Sequence, residues 1–207
     1  MGDLNIILPA GQEQSIAQTR AFSTLYLATL FLAAALAQRS DLLADLRQLP
    51  DAGRQILTLS HDLAASLATE QQLTRCFFLG SGSRYGLACE LSLKMKEMSL
   101  SESEPFHFLE YRHGPQSMAG PQTLIVGLLS SSAQSYEQAV LSDMRKLGAR
   151  TIAVGAGAHE VPVAAINELV RGPLYLPFGQ MLAYQRAIQR GLNPDRPHQL
   201  TAVVQLR

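Results

Sequence analysis

Neither sign of charge dominates this chain. Seventeen basic residues stand against seventeen acidic ones, scattered without a run or stripe, so nucleic acid or an anionic membrane surface has no electrostatic foothold. Cysteine is scarce. Cys76 and Cys89 stand alone, too few for a four-ligand metal site and lacking CxxC spacing. Both lie among apolar neighbours, the setting of reduced structural thiols, which points to the cytoplasm. No metal and no cofactor is expected. The opening residues, MGDLNIILPAGQEQS, lack the basic region and apolar run of a signal peptide. Internal repeats and low-complexity linkers are absent as well.

What is present describes a globular chain of 207 residues, 47% hydrophobic and 16% charged, long enough to bury a single core. One stretch tests solubility: 18 uncharged residues, AFSTLYLATLFLAAALAQ, separate Arg20 from Arg39. A membrane span needs about 20, and here Ser23, Thr24, Thr29, Gln38 and many alanines dilute the run. A helix buried within a domain or at a subunit contact is the expectation. No membrane partner is expected.

In chain order, NIILP at 5–9 reads as a strand or strand remnant. Helices follow at 41–49 and 51–69, with Asp41 and Asp51 as caps and Pro50 at the boundary. Cys76, Phe77, Phe78 and Leu79 form a buried strand, broken at Gly80, Ser81, Gly82 and Ser83. A helix then runs from about Arg84 to Met98. TLIVGLLS at 123–130 is an unbroken apolar run, as in a parallel strand covered on both faces. A helix at 134–147, a strand at 149–155, a weak helix over 161–169, a strand within 173–177, a strong helix at 178–190 and a last strand in TAVVQL complete the reading. This alternation implies an α/β fold: three α/β/α layers around a mostly parallel sheet of about five strands, preceded by the long apolar helix.

The chemistry gathers between Phe77 and Met118. Strand, glycine–serine turn and helix aim backbone N–H groups and a positive helix end at an anion. Ser81, Gly82 and Ser83 form one such turn; Ser130 and Ser132, after the next strand, form a second. The helix then carries Glu90, Lys94 and Glu97 at spacings of four and three, hence on one face. Read from spacing alone, an ordinary surface Glu–Lys pair is the favoured reading. The GSGSRYG turn is also a weak match to a dinucleotide pattern, against which its serines argue. His113, in RHGP, is either a proton donor near neutral pH or a turn cap. His107, between Phe106 and Phe108, reads as packed, and Glu110 as a partner for His113.

Three ordered motifs, GQEQSIAQTRAF, GSGSRYGLACELSLKMKE through RHGP, and GLNPDRPHQL, together resemble the second half of the sugar isomerase (SIS) domain family. They resemble the isomerase part of glutamine–fructose-6-phosphate aminotransferase and the phosphosugar isomerases and deaminases near it. The resemblance covers nearly the whole chain. It implies a flavodoxin-like SIS fold in which residues 1–70 are the linker and helices leaving a first SIS half and 71–207 are the second. It implies a hexose 6-phosphate substrate and a proton moved between C1 and C2 through an enediol. Glu97 would be the base and Lys94 its electrostatic partner. His113 would open the sugar ring from the neighbouring subunit of a homodimer. Ile16, Ala17, Gln18 and Thr19 match a segment that touches substrate, and Thr201 and Ala202 a second one.

Two departures matter. Relatives have two α/β halves, and the first carries the main phosphate loop. Where the aminotransferase form supplies an active-site lysine, this chain has Ala202, so an imine-forming amine is lost and aminotransfer is not expected. Isomerase or aminosugar-phosphate deaminase therefore stands beside a non-catalytic phosphosugar-binding module and a half-domain acting in self-association.

Overall fold

The structure, a computed structural model, describes residues 3 and 5–201. Five parallel strands form one sheet in the order β2-β1-β3-β4-β5: β1 Arg75–Gly80, β2 Glu102–Phe106, β3 Thr123–Leu128, β4 Arg150–Gly155 and β5 Val161–Pro162. Register is fixed by pairs such as Cys76 with Ser103 and Leu124. Side chains alternate across the sheet, as period two requires. Cys76, Phe78, Leu124, Val126, Ile152 and Val154 enter one core; Phe77, Leu79, Ile125 and Ala153 enter the other. The first core is covered by α3 Leu49–Thr69, α4 Ser83–Ser99 and α7 Leu176–Gln189, the second by α5 Phe108–Arg112 and α6 Gln134–Lys146. These are the three layers expected, with both α3 and α4 packed against α7.

α1 Arg20–Leu36 and α2 Ser40–Leu46 lie outside that sandwich. Phe22, Tyr26, Leu27 and Leu30 of α1 pack inward on the first core, but Leu25, Phe31 and Leu36 face outward and are exposed. The long apolar helix is therefore buried on one side only within this chain. None of the described helices is long and apolar enough to cross a membrane.

Several local expectations are corrected. Residues 5–8 form no strand, and 9–11 make one turn of 3-10 helix. Asp41 and Asp51 lie in the first turns of α2 and α3 instead of capping them, and Arg39 and Gln48 hold the cap positions without a side-chain bond. Residues 161–169 hold β5 and irregular chain, and 172–175 is 3-10 helix leading into α7. β2, with the sequence ESEPF, is an edge strand whose alternating polar residues hide it among loop-like composition. TAVVQL lies, apart from Thr201, outside the described residues.

Candidate active site on helix α4

Helix α4 is largely buried, and Arg84, Glu90 and Lys94 are buried with it, whereas Lys96 faces solvent. A tight turn positions it: Gly80 has no room for a side chain, since a Cβ there would stand 2.4 Å from the Arg84 carbonyl oxygen. Gly82, at φ 58° and ψ −130°, occupies a region open mainly to glycine. Neither serine of this turn caps the helix through its side chain.

Lys94 sits between two carboxylates. Its Nζ is 2.5 Å from Glu97 Oε2 and 3.7 Å from Glu90 Oε1. The side chains of Lys94, Glu90 and Glu97 are 5%, 8% and 21% exposed. Burial pushes the Glu90 carboxyl up to about 7 against the pull of the Lys94 ammonium, with repulsion from Glu97 adding to the rise. Its Oε1 has no hydrogen-bond partner. The arrangement therefore places one carboxyl that exchanges its proton near neutral pH beside an ion-paired one. Proton relay between adjacent atoms of a bound molecule is what such a pair can do.

The apolar surround expected for Glu97 is only half present: Met95 and Met98 are buried, whereas Leu93 and Leu100 face solvent. The desolvated carboxyl is Glu90, two turns earlier. Its spacing is visible in the sequence, but its burial is not.

His113 ends α5 at an exposed position. Among the described residues its side chain makes no ion pair with Glu90 or Glu97. Glu110 does not orient it; that carboxylate accepts from the His107 backbone N–H at 3.4 Å in a capping box. His107 is exposed instead of packed, with its ring stacked on Tyr85 at 4.2 Å.

The first and third sequence motifs meet. The Ile16 N–H donates to the Asp195 carbonyl at 3.0 Å, and beside this junction lies a polar cleft of about 630 Å³ whose walls include Ser15, Thr19, Arg20, Asn193 and Arg196. Ile16 is half-buried, Ala17 is buried and Gln18 is exposed. Thr201 is exposed, and Ala202 lies outside the described residues.

The two serine turns meet at the carboxyl ends of β1 and β3, where strand order reverses and open α/β sheets bind ligands. Two of the second turn's amides are already taken. Ser130 N donates to Glu137 Oε2 at 2.5 Å, and Ser131 N donates to Glu168 Oε1 at 3.0 Å. The same Glu168 oxygen receives Arg84 Nη1 at 2.6 Å and lies 3.9 Å from Arg171 Nη2. Ser130 itself is buried with its hydroxyl accepting from Ala133 N, while Ser132 is exposed. Nothing local marks Glu168 or Arg171 in the sequence, because 84 positions separate Arg84 from its partner.

No family model matches the chain. The glutamine–fructose-6-phosphate aminotransferase of Leifsonia xyli is 31% identical over 98% of this chain, which covers 36% of that enzyme. The Pseudomonas aeruginosa enzyme is 30% identical with the same coverage. Among solved structures, glucosamine-6-phosphate deaminase from Thermotoga maritima superimposes with a TM-score of 0.84 at 30% identity, over 96% of this chain and 60% of that one. Tagatose-6-phosphate ketose/aldose isomerase from Escherichia coli, at 21% identity and a TM-score of 0.78, shares the fold over 94% of this chain and 58% of its own. Over nearly its whole length the chain is similar to sugar isomerase (SIS) domain proteins and shares their fold. It spans about a third of the length of the curated relatives it matches.

Proposed function

We propose that this chain is a phosphosugar protein of isomerase or aminosugar-phosphate deaminase type, acting on a hexose 6-phosphate through an enediol. The observation that carries the reading is the buried Glu90–Lys94–Glu97 row, with one carboxyl titrating near neutrality. Glu97 takes the proton from one of the two carbons, C1 or C2, and returns it to the other. Lys94 holds the developing enediolate oxygen by charge, and Glu90 exchanges a hydroxyl proton. His113 opens the sugar ring, reaching the site of a neighbouring copy in a homodimer. Residues 16–19, with Thr201 and Ala202, border the substrate; of these, Thr19 lines the polar cleft. Residues 1–70 act as the segment leaving a first SIS half, and 71–207 as the second half.

The test is exchange of the C2 proton of glucose 6-phosphate or glucosamine 6-phosphate with solvent, followed by NMR. Exchange lost in Glu97→Gln, with the circular dichroism spectrum intact, supports the role; exchange unchanged in that variant removes it. A second reading, a phosphosugar-binding module without turnover, draws support from the Ser130 and Ser131 amides, which are already bonded to Glu137 and Glu168. Calorimetric binding of fructose 6-phosphate without exchange selects it. Self-association through the exposed face of α1 is the third, selected by a stable dimer on light scattering that binds no phosphosugar.

A further inference from the structure

Two pairs of arginines sit at opposite edges of the sheet, and they are treated differently. At the carboxyl edge, Arg84 and Arg171 share the Glu168 carboxylate. At the amino edge, Arg186 in the last turn of α7 and Arg190 just past it lie one helical turn apart. Arg186 Nη2 donates to the Leu73 carbonyl at 2.7 Å and its Nε to Ser101 Oγ at 3.3 Å, just ahead of β1 and β2. Arg190 Nη1 donates to the carbonyls of Ser99 and Leu100 at 2.8 and 3.2 Å. All of these acceptors are uncharged. Among the described residues neither arginine has a carboxylate within 4.0 Å.

Beside the two arginines there is a cavity. It measures about 320 Å³ and is lined by Ala68, Thr69, Gln71, Arg186, Gln189 and Arg190. That is the lower end of the size range of small-ligand sites, about 300–1,000 Å³. Arg186 is 3% exposed and its Nη1 has no hydrogen-bond partner. A buried guanidinium with a donor left over carries a desolvation cost that an anion would offset. Burial, and then repulsion from Arg186, hold Arg190 below its usual value.

We propose that this cavity is a binding site for a small oxyanion, phosphate or the phosphate group of a monoester. Arg186 and Arg190 supply the charge, and Gln71, Gln189 and Thr69 the neutral hydrogen bonds. It is separate from the row on α4 and does not depend on that row being catalytic. It touches α4 only through the helix's end, at Ser99 and Leu100.

Titration calorimetry of the full chain at fixed ionic strength, with inorganic phosphate and with glucose 6-phosphate, tests it. Arg190→Gln removes one donor. Gln189→Glu leaves both arginines and places a carboxylate at the exposed wall. Each should weaken phosphate binding by about tenfold or more, the scale of one charge-assisted hydrogen bond, while Glu97→Gln leaves it unchanged. An ester bound as tightly as phosphate, and equally sensitive to both variants, assigns the site to phosphate esters; exclusion of the ester assigns it to free phosphate. No binding of either ligand, or binding that survives both variants, overturns the proposal and leaves the two arginines as caps on the end of α4.

Discussion

Replacing Glu90 by glutamine should raise stability in a pH-dependent way. In the folded chain its carboxyl is pushed from an ordinary value of 4.5 up to about 7. Below pH 4.5 both folded and unfolded chains hold the proton, and Glu90 adds no pH dependence. Between pH 4.5 and 7 the unfolded chain has lost the proton while the folded chain keeps it, so stability falls as pH rises. Above 7 the fall is complete. Each tenfold difference in proton affinity between the two states is worth about 1.4 kcal/mol. The raised value of about 7 already includes the pull of the Lys94 ammonium; discounted for screening by solvent, the loss comes to about 2–3 kcal/mol. Glu90→Gln keeps the shape and cannot ionise, so its stability relative to wild type should climb by that amount between pH 5 and pH 8. Urea unfolding at four pH values measures it, and taking the difference between the two proteins cancels the histidines. A difference that stays flat across this range would refute the burial argument, and with it the idea that α4 holds a group poised near neutrality.

Two further outcomes follow from burial and sterics. Gly80→Ala forces a methyl to within 2.4 Å of the Arg84 carbonyl, so it should cost about 2 kcal/mol or more in urea unfolding; a smaller loss would mean that the turn yields. Cys76 is fully buried and burial pushes its thiol up to about 11, whereas Cys89 is partly exposed. A thiol reagent should therefore titrate one cysteine in the native protein and both in denaturant, and rapid native reaction of two thiols would contradict the core placement.

The sheet was the most readable part of the chain. Runs such as CFFL and TLIVGL are apolar at every position because helices cover both faces of a parallel sheet. The edges were not readable. ESEPF pairs on one side only and keeps its carboxylates in solvent, so composition hides it. The segment 161–169 looks helical by hydrophobic content, yet after β5 it runs as irregular chain whose Glu168 is met by Arg84 and Ser131, 84 and 37 positions away, contacts no local window contains. On α4 the spacing of Glu90, Lys94 and Glu97 was plain. What spacing could not tell was which carboxyl is desolvated, because that depends on layers of chain packed from elsewhere. Charged residues at buried helix positions break the local rule that polar side chains face water, and such breaks mark functional sites more often than ordinary ones.

The chain counts seventeen charges of each sign, yet neutrality by count is not neutrality by position. One rim of the sheet carries its arginines matched against Glu168; the other carries Arg186 and Arg190 with only uncharged oxygen atoms for company. Guanidinium charge is thus answered by a carboxylate at one rim and by neutral oxygens alone at the other. An anion arriving at the second rim would meet positive charge that no neighbouring acid already offsets.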